Sequence, residues 1–226
     1  PQEMLTEASQ GEARLLARAP EILRWLSRID ERQTELIREV VATIIGGQLL
    51  DLRRFAGANG DQPVSLPDAA ALDDYTWRVA GCVGAFWTKL GFLTMGGGFS
   101  MADPEVLSRK GIDYGKGLQL VNILRDLPRD LAAGRCYLPV DDPSDRDALM
   151  ASFGQWKDRA SVLVAEGPGY ADTLYHRRLR AASVLPALLG EETLARLEGV
   201  DWQDLQMRIK VPRSRVYALM LRALIW

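Results

Sequence analysis

The sequence predicts an all-α helical bundle, and three observations predict it. Apolar residues recur at three- and four-residue steps over long stretches, the spacing that aligns one face of an α-helix. No stretch shows the two-residue alternation of a half-buried strand. Glycine- and proline-rich segments fall between the periodic stretches, where they punctuate helices. The chain has 226 residues, 47% hydrophobic and 26% charged, with no internal repeat. That fits one globular domain over residues 1–226.

Residues 4–28 read as helical, with Leu5, Leu15, Leu16, Ile22, Leu23, Trp25 and Leu26 at mixed helical steps. Pro20 starts a new segment, since proline is tolerated in a first turn. Residues 31–55 form a second long helix with Leu36, Ile37, Val40, Val41, Ile44 and Ile45 inward. Glycine costs ~1 kcal/mol against alanine in a helix, so the Gly46-Gly47 pair marks a kink or the close approach of something bulky. Asp51 follows one turn later, and spacing alone pairs it with Arg53 or Arg54. Residues 56–72, rich in Gly, Asn, Asp and Pro, read as a surface loop. Residues 73–94 form a helix that Asp73 or Asp74 caps. Its small residues Ala80, Gly81, Gly84 and Ala85 mark where another backbone or a ligand comes close. Residues 95–110 hold a helix end, a triple-glycine turn and a restart near Asp103-Pro104. The next long helix reaches Pro128, which should bend or end it. Residues 141–147 are a solvated acidic turn. Helices follow at 148–165 and 168–190, separated by Gly167-Pro168-Gly169.

Composition excludes several functions. The net charge of −2 gives no electrostatic case for nucleic acid. Cys82 and Cys136 stand far apart and set no disulfide framework, and the single histidine, His176, makes no His-based metal site. No uninterrupted run reaches the roughly eighteen apolar residues of a membrane span, and no signal peptide is visible. A cytoplasmic location is expected, with association at the membrane surface if the substrate carries a long hydrocarbon tail.

The informative chemistry lies at Gln119, Asn122, Asp126 and Asp130, whose steps of three, four and four residues return to one helical face. Leu118, Leu120, Val121, Ile123 and Leu124 are assigned to the opposite, buried side. Two carboxylates one turn apart repel each other unless a cation sits between them. Aspartates beside amide oxygens are hard donors that suit Mg²⁺, which takes one or two carboxylates and completes its shell with water and substrate phosphates. A magnesium–diphosphate site is the sharp reading. A solvated Asp/Arg stripe, with Arg125 and Arg129 interleaved, is the bland one.

The stretch from Tyr114 to Pro139 resembles the second aspartate-rich motif of the squalene/phytoene synthase family. That motif runs Q-x-x-N-x-x-R-D-x-x-x-D and then G-R-x-Y-L-P, on Gln119, Asn122, Arg125, Asp126, Asp130, Gly134, Arg135, Tyr137, Leu138 and Pro139. The resemblance extends from about Leu15 onward. It implies the isoprenoid-synthase helical bundle around a central cavity, and head-to-head condensation of two prenyl diphosphates, typically farnesyl diphosphate. It implies Mg²⁺ held by Asp126 and Asp130 with Asn122, Gln119 orienting the diphosphate, and Arg125 and Arg135 on phosphate oxygens. Gly47, Asp51 and Leu52 match a G-x-x-x-D-L pattern whose aspartate faces the cavity. Tyr75, Val79, Ala80, Gly81, Val83 and Gly84 match Y-x-x-x-V-A-G-x-V-G, which lines the prenyl-chain cavity with the tyrosine near the carbocation. Leu185, Pro186, Ala187, Leu188, Gly190, Thr193 and Leu194 match a structural signature. Lys210, Val211, Arg213 and Val216 match the closing K-V-x-R-x-x-V, where Lys210 and Arg213 either meet diphosphate oxygens or serve the surface.

Residues 75–90 resemble bacterial squalene synthases, which implies a cyclopropyl diphosphate intermediate reduced to squalene with NADPH. Phytoene and dehydrosqualene synthases, the alternative branch, omit the reduction. No dinucleotide fingerprint is present, and squalene-type members need none. The departure is at the front: the family's first aspartate-rich motif precedes the region matched here, and no D-x-x-x-D occurs before Asp51. Glu31 and Glu35 have the step but lie in the region that follows that motif. The expectation is a longer protein that supplies it ahead of Pro1. The competing reading is a non-catalytic helical module that binds a lipid or a partner. A class I terpene cyclase is a further all-α alternative, and its N-S-E-type motif is absent from the sequence.

Overall fold

The structure, a computed structural model, describes residues 10–226. Residues 4–9 of the first expected helix, with Leu5, lie outside the described residues. By compactness the chain divides into two units, Pro1–Glu39 and Val40–Trp226.

In the first unit the stretch read as helical holds two short helices, α1 (Gln10–Ala17) and α2 (Ala19–Leu26), with Pro20 in the first turn of α2. Pro20 has no N–H with which to continue the ladder of α1. Arg18 stands at the junction and pairs with Glu21 at 2.9 Å. The long helix α3 (Glu31–Arg54) begins here and continues into the second unit. It runs through Gly46-Gly47 as α-helix. The glycine pair marks close approach instead, since a Cβ on Gly47 would meet the Arg78 Cβ at 2.9 Å.

In the second unit, β1 (Val64–Ser65) and β2 (Arg135–Cys136) pair in parallel, Val64 opposite Arg135. Two residues are too few to show a strand alternation in sequence. Between them lie α4 (Ala69–Thr76), a π-helical turn (Trp77–Gly81), α5 (Cys82–Met95), a 3₁₀ turn (Gly96–Gly98) and α6 (Pro104–Ala132). There follow α7 (Arg146–Val164), α8 (Glu166–Asp172), α9 (Arg177–Arg196), α10 (Trp202–Gln206) and α11 (Arg213–Leu224).

The centre is α6. It opens on Asp103, whose carboxylate accepts from the Glu105 and Val106 amides. Leu120, Ile123, Leu124 and Leu127 are almost wholly buried in one core with Leu66, Leu72, Tyr137, Phe153, Val164 and Leu205. Packing against α5 is backbone to backbone: a Cβ on Gly84 would lie 1.9 Å from the Gly111 carbonyl oxygen, so no larger residue fits without separating the helices.

Several local expectations are corrected. The cap of α4 is Asp68, which accepts from the Ala71 amide at 2.7 Å, so the helix starts inside the stretch read as loop. Asp73 and Asp74 sit within α4 and pair with Lys116 and Arg78. Pro128 does not end α6, which continues to Ala132. Proline removes one donor there, and burial of Leu127 and Leu131 on either side holds the last turn in the core. Gly167-Pro168-Gly169 lies inside α8, where Pro168 falls in a first turn that needs no donor. The continuous helical stretch Ala69–Gly98 is, by length and mean hydropathy, long and apolar enough to cross a bilayer. Asp73, Asp74, Arg78 and Lys89 interrupt it, so it contains no unbroken apolar run of that length. Its glycine contacts with α6 place it in the bundle.

Candidate active site

One face of α6 carries the site. Gly111, Tyr114, Gly115 and Leu118 on this face line an apolar cavity of about 400 Å³. Directly after Leu118 and over the next three turns, the same face presents Gln119, Asn122, Asp126 and Asp130. Leu118 therefore belongs with the cavity and not with the opposite, buried side; the true back of the helix is Leu120, Ile123, Leu124, Leu127 and Leu131.

The rest of the cavity wall comes from Val79, Ala80, Val83, Gly84 and Trp87 of the π turn and α5, and from Tyr170, Ala182, Ser183 and Pro186. Val79 and Val83, four residues apart across the π turn and the start of α5, both face the cavity. Gly81 is a correction: it does not line the cavity. A Cβ there would meet the Lys116 Cγ at 3.0 Å and the Ile112 carbonyl at 3.3 Å, so Gly81 serves helix–helix contact. At one side of the cavity the buried Tyr170 hydroxyl and Thr88 Oγ1 are 2.8 Å apart. Because Thr88 donates to the Gly84 carbonyl at 2.9 Å, Tyr170 is the donor of the pair. Burial raises the Tyr170 phenol to about 12.

The polar end is built from four elements. Asp51 of α3 accepts from the Tyr137 hydroxyl at 2.7 Å through Oδ2. Its Oδ1 is buried and has no hydrogen-bond partner. Burial pushes the Asp51 carboxyl above the usual range despite the Tyr137 hydrogen bond and the charges of Arg135 and Arg54. Tyr75 of α4 stacks on Tyr137 with ring centroids 4.6 Å apart, and Phe55 meets Tyr137 edge-on at 5.3 Å. Burial is also the main cause that raises the Tyr75 phenol; Asp51 and Asp130 add to it, while Tyr137 and Gln119 hydrogen bonding opposes it. Arg135, exposed in β2, feels Tyr137, Asp51 and Asp130 together. It lines a hollow of about 430 Å³ with Gln48, Asp51 and Phe55.

Asp126 and Asp130 differ although they are one turn apart. Arg125 donates to both oxygens of Asp126, at 3.1 and 2.7 Å, and this holds the carboxyl below its usual range. Asp130 has Arg129 at 3.6 Å, and burial together with the Asp126 charge raises it. Arg125 is thus engaged by the neighbouring carboxylate, the pairing that the bland reading expected. Asn122 is exposed on the same face.

The structure brings Asp51, Tyr75, Gln119, Asp130 and Arg135 together, with Asp126 and Arg125 adjoining. Among the described residues no hydrogen bond or ion pair joins Lys210 or Arg213 to them. The cation of this region that Asp126 feels is Arg208, which holds the one positive φ among the described non-glycine residues (55°). Sequence reasoning passed over Arg208. It read Tyr137 only as a motif letter, without seeing its bond to Asp51, a residue far off in sequence.

Among the described residues no three His, Cys, Asp or Glu side chains converge as a ready metal cluster. The donor chemistry nevertheless fits a hard divalent cation: two half-buried carboxylates one turn apart, one of them raised by the other, and an amide oxygen on the same face. A larger open groove of about 970 Å³ collects Asp73, Asp141, Asp142 and Asp145 elsewhere. Three of these are engaged locally: Asp145 caps α7, Asp142 accepts from the Ser144 amide, and Asp73 pairs with Lys116.

The family description squalene/phytoene synthase matches residues 2–215. The chain belongs to the squalene/phytoene synthase family. A presqualene diphosphate synthase of Zymomonas mobilis is 31% identical over 208 residues, covering 87% of this chain and 64% of that protein. A 15-cis-phytoene synthase of a Paracoccus species is 36% identical over 120 residues, covering 52% of this chain and 32% of that one. The chain thus spans less than two thirds of these relatives. The solved structure of TcSQS with the ligand BPH1237 superposes with a TM-score of 0.77 over 98% of this chain and 67% of that one. Its 19% identity speaks to the fold alone, the family's all-α helical architecture. Members of this family join prenyl diphosphates head to head.

Proposed function

We propose that this chain forms the helical body of a Mg²⁺-dependent synthase that condenses two farnesyl diphosphates head to head through a cyclopropyl diphosphate, with squalene as the product when NADPH is supplied. The observation that carries the reading is the single face of α6, apolar from Gly111 to Leu118 and acidic from Asp126 to Asp130. A ligand that matches it has a hydrocarbon tail and an anionic head at one end.

Each residue then has a physical task. Val79, Val83, Trp87 and Leu118 keep water from the tail and from the allylic cation left when the diphosphate departs. Asp126 and Asp130, with Asn122, would hold Mg²⁺, which supplies Lewis-acid neutralisation of charge growing on the leaving group. Arg125 and Arg135 offer forked donors to phosphate oxygens, Arg125 by exchanging its bond to Asp126. Gln119 and Tyr137 orient the groups around Asp51 and Tyr75. Tyr75 stays a neutral phenol, because burial raises its pKa, and its ring supports a passing cation by up to ~2 kcal/mol when desolvated.

Incubation of the full-length protein with farnesyl diphosphate and Mg²⁺, with and without NADPH, tests this by mass spectrometry of the extract. A cyclopropyl diphosphate without NADPH and squalene with it are the expected products. Geranylgeranyl diphosphate is the second substrate to include; a hydrocarbon formed from it without NADPH would move the chain to the non-reductive branch. No product from either, with the protein folded and Mg²⁺ present, would favour the non-catalytic reading.

A further inference from the structure

The last acidic residue of the chain is Asp204; from Met207 to Trp226 there are five basic side chains and no acidic one, against a net charge of −2 for the whole. This cationic segment contains α11. Leu219 and Ala223 of α11 are buried against Ala171, Val184 and Leu188. The outward side is apolar as well. Tyr217, Leu221 and Leu224 recur at helical steps and are 63%, 66% and 64% exposed, and Ile225 is 80% exposed. Arg213 stands one turn before Tyr217 on the same side, and Arg222 flanks the stripe with its guanidinium 5.7 Å from the Trp226 ring. Arg215 is taken up by Glu192 at 2.7 Å. Arg177 of α9 reaches the C-terminal end of α11, donating to the Leu224 carbonyl at 3.4 Å.

We propose that this outer face of α11 docks the protein on an anionic lipid bilayer. Charge complementarity selects that occupant. An apolar stripe edged by guanidinium groups, with no carboxylate on its helix, inserts its side chains at the headgroup boundary while the cations meet lipid phosphates. The exposed stripe of α3 (Val41, Ile45, Leu49, Leu52) lacks this character, because Glu31, Glu35, Glu39 and Asp51 share its helix. Trp226, anchored by its Nε1 donating to Asp172 at 2.7 Å, fixes the end of the segment to the body. The helix would therefore lie flat on the membrane as a rigid part of the bundle.

Cosedimentation with vesicles of phosphatidylcholine alone, or mixed with phosphatidylglycerol, tests the proposal without any need for turnover, so its outcome is separate from that of the condensation reading. The protein is expected to bind the mixed vesicles and to bind phosphatidylcholine at least tenfold more weakly. Leu221→Glu with Leu224→Glu, two exposed positions, should reduce binding about tenfold or more with the circular dichroism spectrum unchanged. Arg213→Gln with Arg222→Gln should abolish most of the preference for anionic lipid. No binding to mixed vesicles overturns the proposal, as does equal binding by the glutamate variant. A dimer by light scattering that the glutamate variant converts to monomer would assign the face to a second copy of the chain instead.

Discussion

Asp126 and Asp130 sit one turn apart on α6, yet their surroundings push them in opposite directions. Asp126 is held below its usual range by two arginine hydrogen bonds, and Asp130 is raised by burial and by Asp126 itself. Asp51, like Asp130, is raised by burial, and its own Oδ1 is unpartnered. The site thus has one carboxylate paired with an arginine and two that burial raises. The partnered charge contributes to folding, and the two raised by burial oppose it.

The largest test of this contrast is catalytic. Asp130→Asn and Asp126→Asn are each expected to lower kcat by roughly a hundredfold or more, the scale of losing one preorganised electrostatic group. Thermal melts should then separate them. Asp130→Asn is expected to raise Tm at pH 7, and Asp126→Asn to lower it. The pH dependence sharpens this. A carboxyl whose folded pKa is raised costs stability that is fully felt above that value and vanishes below the unfolded one, about 4. The gain from Asp130→Asn should accordingly disappear in acid. For Asp126 the folded pKa is lowered, so its contribution is present above the unfolded value and is lost as pH falls through the folded one. Activity should begin to fall at a pH above the ordinary carboxylate range, because Asp130 and Asp51 protonate first. A profile flat down to pH 4 would contradict the desolvated character of both.

A smaller effect is expected at Tyr137. Tyr137→Phe removes the donor to Asp51 and leaves a buried carboxylate with neither oxygen hydrogen-bonded, at a cost of about 1–3 kcal/mol read by denaturant unfolding. Smaller still is the contrast between two cations near α10. Arg208→Ala should weaken diphosphate binding several-fold in a titration with a non-reacting prenyl diphosphate analogue, and Lys210→Ala should leave it nearly unchanged. The reverse order would restore the assignment made from the closing motif.

The polar half of the site was legible in sequence because it lies on one helix: Gln119, Asn122, Asp126 and Asp130 need only a 3.6-residue period to be placed together. Groups from other elements were not. Nothing local in sequence states that Tyr137 reaches Asp51, or that a backbone turn with positive φ sets Arg208 beside α6. Gly81 and Gly84 carry the same signal, small residues in a helix. Only the structure separates the one that touches Lys116 from the one that both packs on Gly111 and edges the cavity. The α4 cap was misplaced because Asp68, Asp73 and Asp74 are all competent caps, and burial of Ala71 and Leu72 decides among them. The π turn has no sequence signature that a helical period would reveal.

The shared face of α6 has a consequence for how size and chemistry are joined. A helix rises about 1.5 Å per residue, so Gly111 and Asn122 are roughly 16 Å apart along one rigid rod. Distance on that rod is tied to rotation. Inserting a single residue between Leu118 and Asn122 would lengthen it only slightly but would turn the carboxylates by about 100° relative to the cavity. Cavity and carboxylates are held in phase as well as in reach, and the length of this helix is free to vary only in steps that preserve that phase.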